Sequence, residues 1–181
     1  MWMVDLPVAD AADANGQAAR PIAGGELYLR EDGRGSVIVG SGLKPAGVSA
    51  AREIKLLFDG GKFGLEGGRW LFRVGLWTPQ DYREEFLAWY QTEHLPMLLE
   101  CSTWDGCRFV EEIAHEGCQF YALHQLSDRR GLDSDERKRS RATPWFRRLA
   151  VNDWFDGGFT RALYKRTQPA ECHSLQPSDL T

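Results

Sequence analysis

The sequence predicts an α+β fold: one antiparallel sheet with its helices on a single face. Three observations carry this. From residue 70 onward, apolar runs of strand length and stretches of helical periodicity alternate in the order β-α-β-β-α-β. The middle two strands are separated only by a short turn, so they pair as a hairpin. The chain has 181 residues, 43% of them hydrophobic, enough to bury a sizeable core in one domain.

Each element follows from local residues. Trp70–Trp77 (WLFRVGLW) is an apolar run of strand length. Thr78 and Pro79 then supply a cap and a first-turn proline. A helix follows from about Pro79 to Glu100, its apolar positions including Tyr82, Phe86, Trp89, Tyr90, Leu95 and Leu98; Pro96 interrupts it near the end. Cys107–Ile113 and Cys118–Leu126 are strands joined at His115-Glu116-Gly117. The polar stretch Ser127–Arg141 leads to a helix over Thr143–Val151, and Phe159–Arg166 alternates as a last strand. This is the split β-α-β, ferredoxin-like order.

The first third is less clearly patterned. Trp2–Leu6, Gly25–Arg30 and Ser36–Val39 read as strands, the last two as a hairpin over Asp32-Gly33-Arg34-Gly35. Val48–Phe58 has apolar positions at helical spacing, with Ser49 as its cap, and predicts a helix. Asp59–Arg69 holds five glycines and is a connector. The chain therefore divides into residues 1–69, an N-terminal extension or degenerate half-repeat of hairpin plus helix; residues 70–168, the ferredoxin-like unit; and a frayed tail, 169–181. A sheet with helices on one face must cover the other, and a second such sheet does so, from another subunit or from the chain itself. The length favours a homodimer.

Composition narrows the function. Twenty-two Lys and Arg against 26 Asp and Glu give a net charge of −4, with no basic field for nucleic acid. No run approaches the 18 apolar residues of a membrane helix, and the first residues lack a secretory pattern. Cys101, Cys107, Cys118 and Cys172 form no CxxC and fit no common zinc spacing, so the expectation is reduced thiols in a cytoplasmic protein without a metal site. Seven Trp, nine Phe and five Tyr need a large core, a lined cavity or an interface. Six of the seven Trp fall within residues 70–166.

Two elements carry a resemblance. Phe86–Pro96 (FLAWYQTEHLP) has an aromatic pair followed by an acidic residue, His, an aliphatic residue and Pro. Thr143-Pro144-Trp145 is followed by Arg147, Arg148, Arg161 and Tyr164. Together they resemble the EthD-like branch of the dimeric α/β-barrel superfamily, over Trp70–Arg166. Cys101-Ser102-Thr103-Trp104 stands where relatives have a Pro-Gly turn. The resemblance implies a barrel and a range of chemistries: cofactor-free monooxygenases, isomerases, cyclases, and haem-binding or haem-degrading proteins.

The candidate site centres on His94 and Tyr90. Four residues apart on a helix, they share one face, and a neutral imidazole in an apolar cleft can act as general base or acid. The bland alternative is a core histidine bonded to backbone where Pro96 ends the helix. Glu93 reads as a solvated acid or a partner of Arg83 or Arg108. His124 shares a strand face with Phe120, Ala122 and Leu126; it joins His94 if that face looks into the barrel, and is structural if it looks at the helices. Arg73, with Leu71 and Gly75 on its face, holds a carboxylate or enolate, or else makes an ion pair. Phe86, Trp77 and Trp89 complete the expected ligand-binding wall. Asp133–Arg141 reads as a solvated charge run.

These residues support a cofactor-independent enzyme for a small hydrophobic, aromatic or polyketide-like carbonyl compound, of isomerase, cyclase, lyase or monooxygenase type. A non-catalytic ligand-binding or accessory barrel is the alternative, and a haem protein using His94 the third reading.

Overall fold

The computed structural model describes residues 1–6, 25–32, 36–40, 52–64, 67–112 and 118–166. Ser49, the turns at 33–35 and 115–117 and the tail from Pro169 lie outside them, as do His115, Cys172 and His173. Eight strands form a closed antiparallel barrel: β1 (Trp2–Leu6), β2 (Gly25–Arg30), β3 (Ser36–Gly40), β4 (Arg52–Gly61), β5 (Trp70–Thr78), β6 (Trp104–Glu112), β7 (Cys118–Leu126) and β8 (Phe159–Arg166). Their order is β1-β3-β2-β8-β5-β7-β6-β4. The last four strands run β8-β5-β7-β6, the ferredoxin-like order. The first four run β4-β1-β3-β2, which is the same order counted within that half. The two halves join at β2–β8 and β4–β6, and β1–β4 lies within the first half.

The helices pack outside the second half. After a 3₁₀ turn at Gln80–Tyr82 come α1 (Arg83–Trp89), a π-helical turn (Tyr90–His94) and α2 (Leu95–Leu99). Pro96 does not break this run. The chain widens into the π turn just before it, and the Leu95 N–H bonds the Tyr90 carbonyl five residues back. The proline ring clashes with a carbonyl four residues earlier in a regular α-helix, so a widened turn accommodates it. The polar stretch Ser127–Arg141 holds a 3₁₀ turn (Arg129–Asp133) and α3 (Asp135–Ser140), capped by Ser134. Then come α4 (Pro144–Ala150), capped by Thr143, and a short helix not anticipated from sequence, α5 (Asp153–Gly157).

One segment corrects the sequence reading. Arg52–Phe58 is strand, within β4, where a helix was expected. A bulge between Leu56 and Phe58 explains the misleading spacing. Ile54 points into the barrel core, whereas Leu57 and Phe58 both pack against the helix-side core. The resulting i, i+3, i+4 pattern imitates a helix.

Strand alternation separates two cores. Met3, Tyr28, Val37, Val39, Ile54, Leu71, Val110, Tyr121, Leu123 and Tyr164 fill the barrel. Phe72, Val74, Leu76, Phe109, Phe120, Ala122 and Leu126 face the helices, against Phe86, Trp89, Tyr90, Leu95 and Leu98. The second sheet face is thus covered by the chain's own first strands, so barrel closure needs no partner subunit.

Polar groups close both barrel ends. At one end Arg52 bonds Asp5, Glu112 (3.2 Å) and the Tyr121 hydroxyl, and Arg73 pairs with Asp5. At the other, the glycine-rich connector lies across the opening. Gln125, fully buried, accepts from the Gly64 N–H (2.7 Å) and donates to the Gly64 (2.8 Å) and Gly68 (2.7 Å) carbonyls. Gly61 begins this turn at φ +72°, where a Cβ would lie 2.3 Å from the Asp105 carbonyl oxygen. Only glycine fits both constraints.

Two outcomes follow. Gln125→Leu leaves the half-buried Gly64 N–H and Gly68 carbonyl without their partner, while the Gly64 carbonyl keeps the Gly67 N–H and Arg166, and is expected to cost about 1–3 kcal/mol in urea unfolding. A loss within error of zero contradicts the anchoring role. Because closure is internal, the thermal midpoint is expected to be independent of protein concentration; a midpoint that rises with concentration indicates coupled assembly.

Candidate functional site

The helices and the outer sheet face enclose a cavity of about 50 Å³. At roughly 10–15 Å³ per water, this holds on the order of three or four water molecules. Its floor is sheet: Phe72 and Val74 from β5, His124 from β7, Arg161 and Phe159 from β8, and Trp104 at the start of β6. Register brings them together, since Phe72 lies opposite His124 and Val74 opposite Arg161. Its roof is helix: Trp89, Tyr90, His94 and Leu98, with Arg137 and Arg141 at the end of α3 and Phe146, Phe155 and Asp156 behind.

The π turn places His94. Its ring lies 4.8 Å from Trp89, five residues back, and 4.9 Å from Tyr90, four back. A regular α-helix aligns only the second of these well, and the widened turn admits both. His94 is half-buried. Burial lowers its pKa to about 4, helped by the charges of Arg141 and Arg137 and opposed by a hydrogen bond to the Ser140 backbone. Its Nδ1 is buried and has no hydrogen-bond partner. The Trp89 Nε1, in the same wall, also has none.

His124 faces the helices and nonetheless shares the cavity with His94; these were alternatives in the sequence reading. Both conditions hold because the cavity lies outside the barrel, between helix and sheet. A bulge between Trp104 and Gly106 aims Trp104 at His124, whose Nδ1 accepts the indole N–H at 3.1 Å. That bond puts the proton of neutral His124 on Nε2. Burial lowers His124 to about 3, with His94 and Arg137 adding to the effect. Burial pushes the Tyr90 phenol well above its usual range, against the nearby Arg161 charge. At neutral pH the cavity therefore holds two neutral imidazoles and a protonated phenol.

Three expected ligand contacts lie elsewhere. Arg73 is on the barrel-side face of β5, paired with Asp5 and stacked on Tyr121 and Tyr164 (5.8 and 5.3 Å). Its parity with Leu71 signalled this placement. Trp77 has the same parity but sits at the strand end, 43% exposed at the barrel rim. Phe86 is a fully buried wedge between Tyr90 (5.4 Å), Phe120 (5.7 Å) and Trp89 (5.7 Å), one layer behind the cavity. Glu93 binds neither arginine considered for it; the Thr143 hydroxyl donates to it at 2.6 Å, tying α4's cap to the π turn. Arg83 instead makes a bidentate pair with Glu111, and Arg108 pairs with Asp59.

Sequence reasoning missed Arg137 and Arg141, both inside the run assigned to solvent. Charge density concealed that helical spacing turns these two inward. Among the described residues no group of three or more His, Cys, Asp and Glu is placed to hold a metal, and no helix is long and apolar enough to cross a membrane.

No protein-family model matches this chain, and no curated protein matches its sequence. Solved structures share its fold. A haem-degrading enzyme from Listeria monocytogenes is 11% identical with a TM-score of 0.58, over 92% of this chain and all of that one. A monooxygenase-like protein from Listeria innocua is 12% identical (TM-score 0.56, 81% of each chain). A Listeria monocytogenes ferredoxin-fold protein related to antibiotic biosynthesis monooxygenases is also 12% identical (TM-score 0.57, 80% of this chain and 81% of that one). At these identities the likeness is one of fold: the ferredoxin-like α+β barrel.

The buried histidines make stability pH-dependent. Their folded pKa values lie below the ordinary 6.5, so unfolding takes up protons beneath pH 6.5. Their contribution is fully present above that pH. It is lost as pH falls to about 4 for His94 and about 3 for His124, on the order of 3 kcal/mol for His94 and about 5 kcal/mol for His124. The thermal midpoint is expected to drop between pH 7 and pH 4.5, and by less in a His94→Gln/His124→Gln double variant. An equal drop in both proteins would remove the histidines as the cause.

Proposed function

We propose that this protein is a small-molecule enzyme that moves a proton next to a carbonyl, with His94 as general base. The observation that carries this reading is the His94 Nδ1: buried, without a partner, in a cavity wall. With Nδ1 unpartnered, the neutral tautomer that carries its proton on Nε2 leaves the Nδ1 lone pair available. The Trp89 N–H, the His124 Nε2–H and the Tyr90 hydroxyl are donors for the oxyanion that forms as the proton leaves. A neutral base, apolar walls and few waters are what such a step requires.

The volume trims the expected substrate. About 50 Å³ is far below the roughly 300 Å³ at which drug-sized ligand pockets begin. The matching ligand is a compound of a few heavy atoms, or the reactive end of a larger molecule. An aromatic or polyketide skeleton exceeds the closed cavity. Haem does not fit, because a macrocycle needs several times this space. The FLAWYQTEHLP and TPW elements support an EthD-like relationship within the fold. The matching strand order supports reading residues 1–69 as a degenerate half-repeat.

The test is hydrogen–deuterium exchange at carbon. The full chain is incubated in D₂O with small enolisable carbonyl compounds, including acetone and pyruvate, and α-proton loss is followed by NMR. Exchange is expected to exceed the buffer rate and to fall roughly 10²–10⁴-fold in His94→Ala. It should be flat near neutral pH and decline below about pH 4, where His94 takes up a proton. No acceleration for any compound, or an undiminished rate in His94→Ala, would falsify the assignment.

A further inference from the structure

Three guanidiniums converge on the cavity. Arg137 (α3) lies 5.7 Å above Phe72, Arg141 5.9 Å above Phe146, and Arg161 (β8) 5.0 Å above Phe159. All three line the same space as His94 and His124. Arg137 is half-buried, whereas Arg141 and Arg161 are exposed at the mouth. They feel one another: Arg141 and Arg161 both disfavour the charge on Arg137, as does burial, and nearby Asp133 favours it. Asp156 is the one carboxylate in the lining. Three positive groups against one negative leave an excess of two positive charges.

This arrangement differs from that of most other described arginines, although Arg69 and Arg147 likewise make no ion pair among the described residues. Arg30, Arg52, Arg73, Arg83, Arg108, Arg129, Arg130, Arg139 and Arg148 each stand within 4.0 Å of a carboxylate. No ion pair involves Arg137, Arg141 or Arg161 among the described residues. Each guanidinium lies over an aromatic ring, and although Arg137 Nη1 donates to the Leu132 carbonyl (2.5 Å), the three keep N–H donors without carboxylate partners. Like charges held together around an apolar cavity are unfavourable until an anion enters.

We infer that the cavity takes a carboxylate-bearing ligand, with Arg137, Arg141 and Arg161 gripping the carboxylate and the enolisable carbon next to its ketone directed at His94. The inference rests on the His94 cavity being the substrate site. A planar carboxylate suits the guanidinium fork, and the small apolar interior suits a short carbon chain behind it. The resulting substrate class is a short oxo acid whose proton-bearing carbon lies next to its ketone. The positive groups also stabilise the second negative charge that appears when that carbon loses its proton.

The experiment measures binding separately from turnover. Pyruvate and acetate are titrated against the full chain, with acetamide, acetone and inorganic phosphate as comparators at constant ionic strength. Tryptophan fluorescence reports through Trp89 and Trp104. Carboxylates are expected to bind at least tenfold tighter than the neutral comparators and tighter than phosphate. Arg161→Gln and Arg141→Gln, at exposed positions, should each weaken carboxylate binding at least tenfold without lowering the thermal midpoint. His94→Asn should retain it. Equal binding of acetamide, tighter binding of phosphate, or unchanged affinity in both arginine variants overturns the inference. Arginine-dependent carboxylate binding without any carbon exchange overturns the proton-transfer reading alone. His94-dependent exchange of acetone with no carboxylate preference overturns this one alone.

Discussion

The structure depends on a single constraint: a sheet that carries helices on one face must hide the other. β5 to β8 present Leu71, Val110, Tyr121, Leu123 and Tyr164 on the face away from the helices. Left in water, that many large apolar groups make an aggregating patch. The first four strands bend around and cover it, and closure leaves no open sheet edge. The polar groups at the two openings then become partners for one another, as in the Asp5–Arg52–Glu112–Tyr121 network.

Filling the barrel relocates the chemistry. Its interior is occupied by side chains and a charge-balanced network, and the space beside the histidines lies where the helices meet the outer face. There the aromatic residues form a continuous shell. Phe86, Trp89, Phe109, Phe120, Phe146 and Phe155 touch at ring separations of about 5.4 to 6.4 Å. The shell is rigid enough to leave a small cavity uncollapsed, and apolar enough to hold two histidines neutral. Function and packing share the same cause: the desolvation that anchors the core also sets the state of the imidazoles.

The π turn is the local device that joins them. It absorbs Pro96 without ending the helix and gathers Trp89, Tyr90 and His94 on one wall. The bulge at the start of β6 does the matching job on the floor by aiming Trp104 at His124. Both irregularities add space or redirect a side chain at the cavity, where regular geometry would not.

Sequence alone determined the strands of the second half, the helices that carry Phe86 and Phe146 and the face each strand residue takes, but not α3 or α5. Period-two alternation is a local property, so it assigned Arg73 with Leu71 and His124 with Phe120 and Ala122. Sequence also picked out His94 and Tyr90. Tertiary structure decided what those faces look at. Nothing local says that Arg73 meets Asp5, that His124 meets a cavity outside the barrel, or that β4 is a strand whose bulge imitates helical spacing. Charge density made Arg137 and Arg141 read as solvated; they turn inward because α3 packs against the π-turn helix and brings them over the cavity. Trp clustering foretold a well-covered sheet, but whether rings line a space or fill one depends on distances between elements far apart in the chain. Trp89 and Trp104 line the cavity, Trp77 sits at the rim, and only the assembled barrel separates the two outcomes.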